Sequence, residues 1–318
     1  MKIARTPFTM KGLIFLILPL LFILTALRSL ANEVKVTKDV IYGTGVITQL
    51  SPKKTPEEKQ IAETIVANLT LDVYQPMGVE GKRPGILLVH GGGWFSGDKA
   101  DKEYVEICQY LATEGFAVFS VNYRLVPKAR YPAQLDDVQR AVRWVRKHAD
   151  DYSIDIKKIG AVGDSAGGHL VSLLGTRDTR DNSDADLKRY SSKVQCVVDL
   201  FGPVDFLADN NSKLPGIAEG LVTNLFGQKR VVALDLYKEG SPITYVNKES
   251  AHFLIMHGDK DPLVPLTQSR EMKAALDKAG NETELIIMVN EGHGFKLPEN
   301  RLKQKTETIA FFNKWLKP

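Results

Sequence analysis

Four short stretches of this chain carry residue types that can do chemistry together. The first is Ile159-Gly-Ala-Val-Gly-Asp-Ser-Ala-Gly-Gly-His-Leu170. An apolar run ends in Gly163-Asp164-Ser165-Ala166-Gly167, and small and apolar residues of helical character follow. The pattern predicts a strand, a sharp turn and a helix, with Ser165 at the tip of the turn. Such a turn strains the serine backbone and lifts the hydroxyl above the end of a sheet. Gly163 and Gly167 stand where strand and helix come too close for side chains. The new helix points its N-terminus at the same spot, so backbone N–H groups there favour an oxyanion. Ser165 is the candidate nucleophile.

A serine hydroxyl is a weak nucleophile near neutral pH. It needs a base to take its proton and a carboxylate to orient that base. Of the six histidines, His293 lies in Asn290-Glu-Gly-His-Gly-Phe295, a glycine-flanked loop directly after the last predicted strand. It is the candidate base. The acid is expected in the loop after the preceding strand, His257-Gly-Asp-Lys-Asp-Pro-Leu-Val-Pro265. Asp261, further out on that loop and just before Pro262, is preferred, and Asp259 is the alternative. The fourth stretch is His90-Gly-Gly-Gly-Trp94, at the end of the apolar run Gly85-Ile-Leu-Leu-Val89. Its glycines are free to take positive φ, so their N–H groups can aim at a ligand oxygen. Trp94 and Phe95 beside this loop are candidate substrate-binding residues, with a core role as the other reading of each. His148 and His169 fall on predicted helices, His148 as a C-terminal cap. His252 opens a strand and His257 closes it.

The elements that must position these residues follow from periodicity. Val34 to Val40 and Asn68 to Tyr74 alternate, as antiparallel opening strands do. Buried strands are expected at 85–90, 116–122, 159–163, 194–201, 253–257 and 284–290. Helices are expected from about 100 to Gly115, then over 133–149, 266–279 and 302–316. In the second of these, Leu135, Val138, Ala141, Val142 and Val145 share a face. Asp136 and Asp137 sit in its first turn, where carboxylates suit the helix dipole, and are read as structural. Residues 202–246 are less regular, with helical candidates at 217–226 and 231–237, and can form a small cap. Strands and helices thus alternate from residue 85 onward. The fold class is α/β: a mostly parallel sheet with helices on both faces. Ligands in such sheets bind beyond the carboxyl ends of strands, where every stretch above is placed.

Composition sets the frame. The 318 residues are 43% apolar and 25% charged, ordinary for a globular chain. The net charge of +4 resides entirely in Lys2, Arg5, Lys11 and Arg28, and what remains carries 38 basic and 38 acidic residues. A neutral body gives no electrostatic reason to expect nucleic acid or an anionic membrane as partner. Residues 1–31 read as a secretory signal peptide. It has a basic start, an apolar stretch from Leu13 to Leu27, and small residues Ser29 and Ala31 for cleavage before Asn32. Residues 32–318 are read as one exported domain without stable membrane insertion, periplasmic or extracellular. Cys108 and Cys196 read as buried free thiols. No Cys/His pattern has zinc spacing, so no metal is expected.

The order Ser165, Asp261, His293 is the nucleophile–acid–base order of α/β-hydrolases. The chain resembles their esterase/lipase group with an HGGG oxyanion loop, related to hormone-sensitive-lipase-like enzymes. It is most similar to the branch of bacterial feruloyl esterase and acetyl-xylan-esterase-like proteins. The stretches that carry the resemblance are Leu71-Asp-Val-Tyr-Gln-Pro76, His90-Gly-Gly-Gly-Trp-Phe-Ser-Gly-Asp-Lys99, Val121-Asn-Tyr-Arg-Leu125 and Tyr131-Pro-Ala-Gln-Leu-Asp-Asp137. Gly163-Asp-Ser-Ala-Gly-Gly-His169, Gly240-Ser-Pro242 and His257-Gly-Asp-Lys-Asp261 complete the set. The resemblance implies that Ser165 attacks an ester carbonyl while His293, held by Asp261, relays the proton. It implies an oxyanion hole from the N–H groups of Gly92, Gly93 and Ala166, and no metal or organic cofactor. The implied substrates are short acyl or hydroxycinnamoyl esters of plant-type carbohydrate. A lipid or xenobiotic esterase and an arylformamidase-type amidase are the alternatives on the same scaffold.

Overall fold

The computed structural model describes residues 33–51, 60–78, 80–209 and 211–317. The export signal read at 1–31, with its cleavage position, lies outside the described residues. Eight strands form one sheet: β1 (Val34–Leu50), β2 (Ala62–Pro76), β3 (Arg83–Val89), β4 (Ala117–Val121), β5 (Ile154–Asp164), β6 (Cys196–Leu200), β7 (His252–Gly258) and β8 (Thr283–Met288). Their order across the sheet is β1-β2-β4-β3-β5-β6-β7-β8. β1 pairs antiparallel with β2, and β2 antiparallel with β4, while β4 through β8 run parallel.

Strands buried on both faces read as unbroken apolar runs, because the alternation has no wet side to mark. β3 shows what such a run does. Leu87 and Val89 face a core completed by α2 (Ala133–Lys147), α3 (Ala166–Thr176) and α6 (Leu266–Lys278). Ile86 and Leu88 face a second core completed by α1 (Lys102–Thr113) and α7 (Pro298–Leu316). Helices therefore cover both faces, as the alternation of elements requires. Asp137 is buried against the Arg124 guanidinium, with Oδ1 2.7 Å from its Nη2, consistent with a structural role. Cys108 and Cys196 are buried and free. Among the described residues no helix is long and apolar enough to cross a membrane.

Four elements depart most from the periodicity. The opening strands are longer than their alternating cores, because residues 43–50 and 62–69 pair as a two-stranded arm. β4 meets β2 only over Leu71–Tyr74, so most of that arm is not paired to the rest of the sheet. β5 starts at Ile154 rather than Ile159, since charged Lys157 and Lys158 hide a strand that pairs with β3 through a register shift. The last helix starts at Pro298, four residues early. Proline at the first helical position and Glu299 in the first turn both suit a helix start.

Between β6 and β7 the chain forms α4 (Gly216–Phe226), a 3-10 turn (Arg230–Val232), α5 (Leu234–Gly240) and a second 3-10 turn (Pro242–Tyr245). Phe206, Ala218, Val222 and Phe226 anchor this segment in the core of the α2 face.

Candidate active site

Ser165 joins β5 to α3 with φ 50° and ψ −115°, a conformation rare outside glycine. The local sequence makes it possible. A Cβ on Gly163 would strike the backbone of Gly167, and one on Gly167 would strike the Val89 carbonyl oxygen. The turn is then fixed to the sheet by the Ser165 N–H, which donates to the Leu200 carbonyl on β6 at 2.8 Å.

His293 lies on the loop after β8 and Asp261 on the loop after β7. The structure brings all three together. His293 Nε2 is 2.7 Å from Ser165 Oγ, and His293 Nδ1 is 2.8 Å from Asp261 Oδ2. A buried carboxylate can only accept, so Nδ1 carries the imidazole proton and Nε2 offers its lone pair to the serine hydroxyl. The Asp261 side chain is fully buried, whereas Asp259 is exposed, with its N–H donated to the Met288 carbonyl at 3.1 Å. Burial opposes the charge on Asp261. Hydrogen bonds from His257 and His293, and from the Val264 N–H, nevertheless hold its carboxyl well below the usual carboxylate range.

The glycine loop runs from the end of β3 with positive φ at Gly92 (102°), Gly93 (59°) and Trp94 (63°). The Gly92 carbonyl accepts the N–H groups of Phe95 (3.1 Å) and Ser96 (3.0 Å), closing a tight turn. The Gly91 N–H is committed to Tyr104 Oη at 2.9 Å. Gly92 and Gly93 line the same cavity as Ser165 and His293. Ala166 is the first residue of α3, so its N–H has no acceptor within the helix. The Asp164 carboxyl also bonds to Tyr104, and burial pushes it up to about 6.

The two aromatic pocket candidates both line the cavity, with different exposure. Phe95 is 51% exposed on the cavity wall. Trp94 is 3% exposed and packs in the core where that core meets the cavity. Its indole N–H donates to His169 Nδ1 at 3.2 Å, and His169 Nε2–H donates to the Gly240 carbonyl at 2.7 Å. One imidazole thus ties the glycine loop, the helix after Ser165 and the segment before β7. Burial pushes His169 down to about 4, so Nδ1 stays an acceptor at neutral pH.

The cavity above Ser165 measures about 660 Å³. Phe95, Pro203, Leu214, Leu221 and Leu263 supply apolar wall, and Glu103, Glu106, Arg301 and Gln304 supply polar wall. Among the described residues no group of three or more His, Cys, Asp or Glu side chains is arranged to hold a metal ion. A hydroxyl hydrogen-bonded to an imidazole that is itself oriented by a carboxylate has the geometry of an activated nucleophile.

Sequence reasoning left His257, Ser269, His169, Tyr104 and Asp164 without roles in this site. A local signal existed for two of them. His257 stands four residues before Asp261, and His169 four after Ser165.

Comparison with known proteins bears on the fold and the family. The BD-FAE family model matches residues 71–276. Esterase LipQ of Mycobacterium tuberculosis is 31% identical over 76% of this chain and 58% of its own length. The chain spans between 47% and 61% of the length of three mycobacterial relatives it matches. Among solved structures, a truncated carbohydrate esterase from gut microbiota superposes with a TM-score of 0.71 at 29% identity, covering 89% of this chain and 97% of that one. An acetyl ester-xyloside bifunctional hydrolase from Caldicellulosiruptor lactoaceticus superposes with a TM-score of 0.67 at 27% identity, covering 78% and 88%. By its sheet and a family match over most of its length, the chain belongs to the BD-FAE family of α/β-hydrolase folds.

Proposed function

We propose that this chain is an exported serine carboxylesterase that hydrolyses short acyl or hydroxycinnamoyl esters of plant-type carbohydrate. The observation that carries the reading is the Ser165–His293–Asp261 hydrogen-bonded chain at the floor of the 660 Å³ cavity. Ser165 Oγ attacks the ester carbonyl carbon as His293 Nε2 takes its proton. Asp261 stabilises the imidazolium that forms. The N–H groups of Gly92, Gly93 and Ala166 receive the tetrahedral oxyanion. His293 then returns the proton to the departing alcohol. Water, deprotonated by the same imidazole, releases the acid from Ser165 and restores the site.

Two observations support a carbohydrate ester. Among the lining residues, Glu103, Glu106, Arg301 and Gln304 suit a hydroxyl-bearing alcohol, and the apolar ones suit a short acyl or aromatic acid. Two solved neighbours are a carbohydrate esterase and an acetyl ester-xyloside bifunctional hydrolase. Export rests on the basic and apolar pattern of residues 1–31.

The test is a panel of p-nitrophenyl acetate and longer acyl chains, methyl ferulate and acetylated xylo-oligosaccharide, assayed beside Ser165→Ala. The expected result is turnover favouring acetyl-sugar or feruloyl esters, reduced on the order of a millionfold in the variant. Preference for long acyl chains would move the substrate to lipids. Turnover that survives Ser165→Ala would end the assignment.

A further inference from the structure

Asp261 is held from two sides, and the proposed mechanism uses one of them. Oδ1 accepts the N–H groups of Leu263 (2.8 Å) and Val264 (2.9 Å). Oδ2 faces His293 Nδ1 at 2.8 Å, and on its other side His257 Nε2 at 3.2 Å. His257 is completely buried. Its Nε2 is also 2.9 Å from the Val264 carbonyl oxygen, and its Nδ1 is 2.6 Å from Ser269 Oγ on α6.

Donor and acceptor chemistry orders these contacts. Both neighbours of Nε2 are acceptors, a carbonyl and a carboxylate, so Nε2 carries a proton. With that proton on Nε2, a neutral ring presents Nδ1 as an acceptor, and the Ser269 hydroxyl donates to it. The arrangement runs Ser269 to His257 to Asp261 to His293 to Ser165, from α6 to the tip of the serine turn. A buried carboxylate short of donors loses preferred orientation, because its unfilled lone pairs have no water to turn to.

We propose that His257 and Ser269 are positioning residues. Ser269 fixes the tautomer of His257, and His257 holds Asp261 Oδ2 in register with His293. The inference rests on the catalytic roles proposed for Ser165, His293 and Asp261. It adds a function for two side chains that never approach the substrate. As His293 becomes imidazolium, the carboxylate that stabilises it must not swing away. The bond from His257 opposes that movement.

The test pairs spectroscopy with kinetics on the full chain. Nitrogen-15 NMR of the histidine rings should show His257 protonated at Nε2 and bare at Nδ1, with assignment by loss of its signals in His257→Gln. The low-field Nδ1 proton of His293 should move in Ser269→Ala and His257→Leu. With p-nitrophenyl acetate, His257→Leu should lower kcat roughly 10- to 100-fold with KM within about twofold, as loss of a hydrogen bond to a charged group implies. His257→Gln, which keeps an N–H at similar reach, should recover most of that loss. Ser269→Ala, a small change on a helix that keeps the fold, should lower kcat a few-fold.

Protonation of His257 at Nδ1 would overturn the proposal. So would a Gln variant as impaired as the Leu variant with an unchanged melting curve. An unaltered His293 resonance and kcat in Ser269→Ala would do the same. Ser165→Ala separates this from failure of the esterase reading, since turnover surviving that change refutes the reading while the two ring signals still report on His257.

Discussion

The two flanks of Ser165 are built from different materials. On the glycine-loop side the groups proposed to receive the oxyanion are backbone N–H groups. Gly92, Gly93 and Trp94 hold positive φ, and their positions are set by a turn closed on the Gly92 carbonyl. On the proposed acid–base side the groups are side chains, His293 and Asp261, held to each other and, for Asp261, by His257 on β7 and by N–H groups of the loop after β7. A backbone site needs room, so the residue that matters is the one with no side chain. A side-chain site needs donors and acceptors matched in number, so the residues that matter are polar and buried. The contrast predicts different kinds of failure.

Among changes on the two flanks of Ser165, the largest effect should come from the acid. Asp261→Asn keeps the shape but presents an amide where His293 requires an ionised acceptor, and the wrong imidazole tautomer follows. We expect kcat to fall on the order of 10⁴-fold with a nearly unchanged melting temperature. Steady-state kinetics beside a thermal melt would check it. A loss under tenfold would mean that another carboxylate orients His293, with exposed Asp259 the first to try.

On the other flank, Gly92→Ala should cost about 100- to 1,000-fold in kcat, the usual price of one lost oxyanion donor. The added methyl would strike the Ser96 carbonyl oxygen at a residue whose φ is already 102°. Single-turnover acylation would locate the loss in the chemical step. An Ala variant as active as the parent would remove this loop from the oxyanion site and collapse the contrast.

The smallest effect sharpens the comparison by asking what lies beneath both flanks. Asp199 on β6 is completely buried, and burial pushes it up to about 6. Opposing that, its Oδ1 accepts the Gly202 N–H at 2.9 Å and its Oδ2 accepts the Ser172 hydroxyl at 3.1 Å. The folded chain therefore holds this proton more tightly than the unfolded one, whose carboxyl titrates near 3.9. The stability this contributes is complete below about pH 4 and is lost as pH rises through about 6. Asp199→Asn removes that titration, so its melting temperature should fall less than that of the parent between pH 4 and pH 6. His169, pushed down to about 4, works with the opposite sign. Its contribution is lost as pH falls from about 6.5 toward 4, so the difference between variant and parent isolates Asp199. Equal slopes would show that Asp199 is charged throughout.

Much of the site is legible in single stretches. Gly163 to Gly167 encodes a strand–turn–helix because steric exclusion at two glycines is a local matter. The glycine loop and the loops of Asp261 and His293 follow strands recognisable as apolar runs. The ends of parallel strands collect at one edge, so placing each stretch at a strand end already places them near one another. The segments that resisted reading lack such a pattern. Lys157 and Lys158 break the apolar run of β5, and the β1–β2 arm carries pairing beyond the strands that alternate.

The sequence by itself determined the fold class, the nucleophile turn and the set of candidate acids and bases, since these depend on residue type and spacing over a few positions. Only the tertiary structure set Asp261 rather than Asp259 against His293, packed Trp94 in the core at the cavity's edge, and set Ser269 behind His257 and Gly240 behind His169. Those outcomes turn on burial and on donors meeting acceptors across elements far apart in the chain. A buried polar group must find its partner wherever packing places one, and no local pattern records that distance.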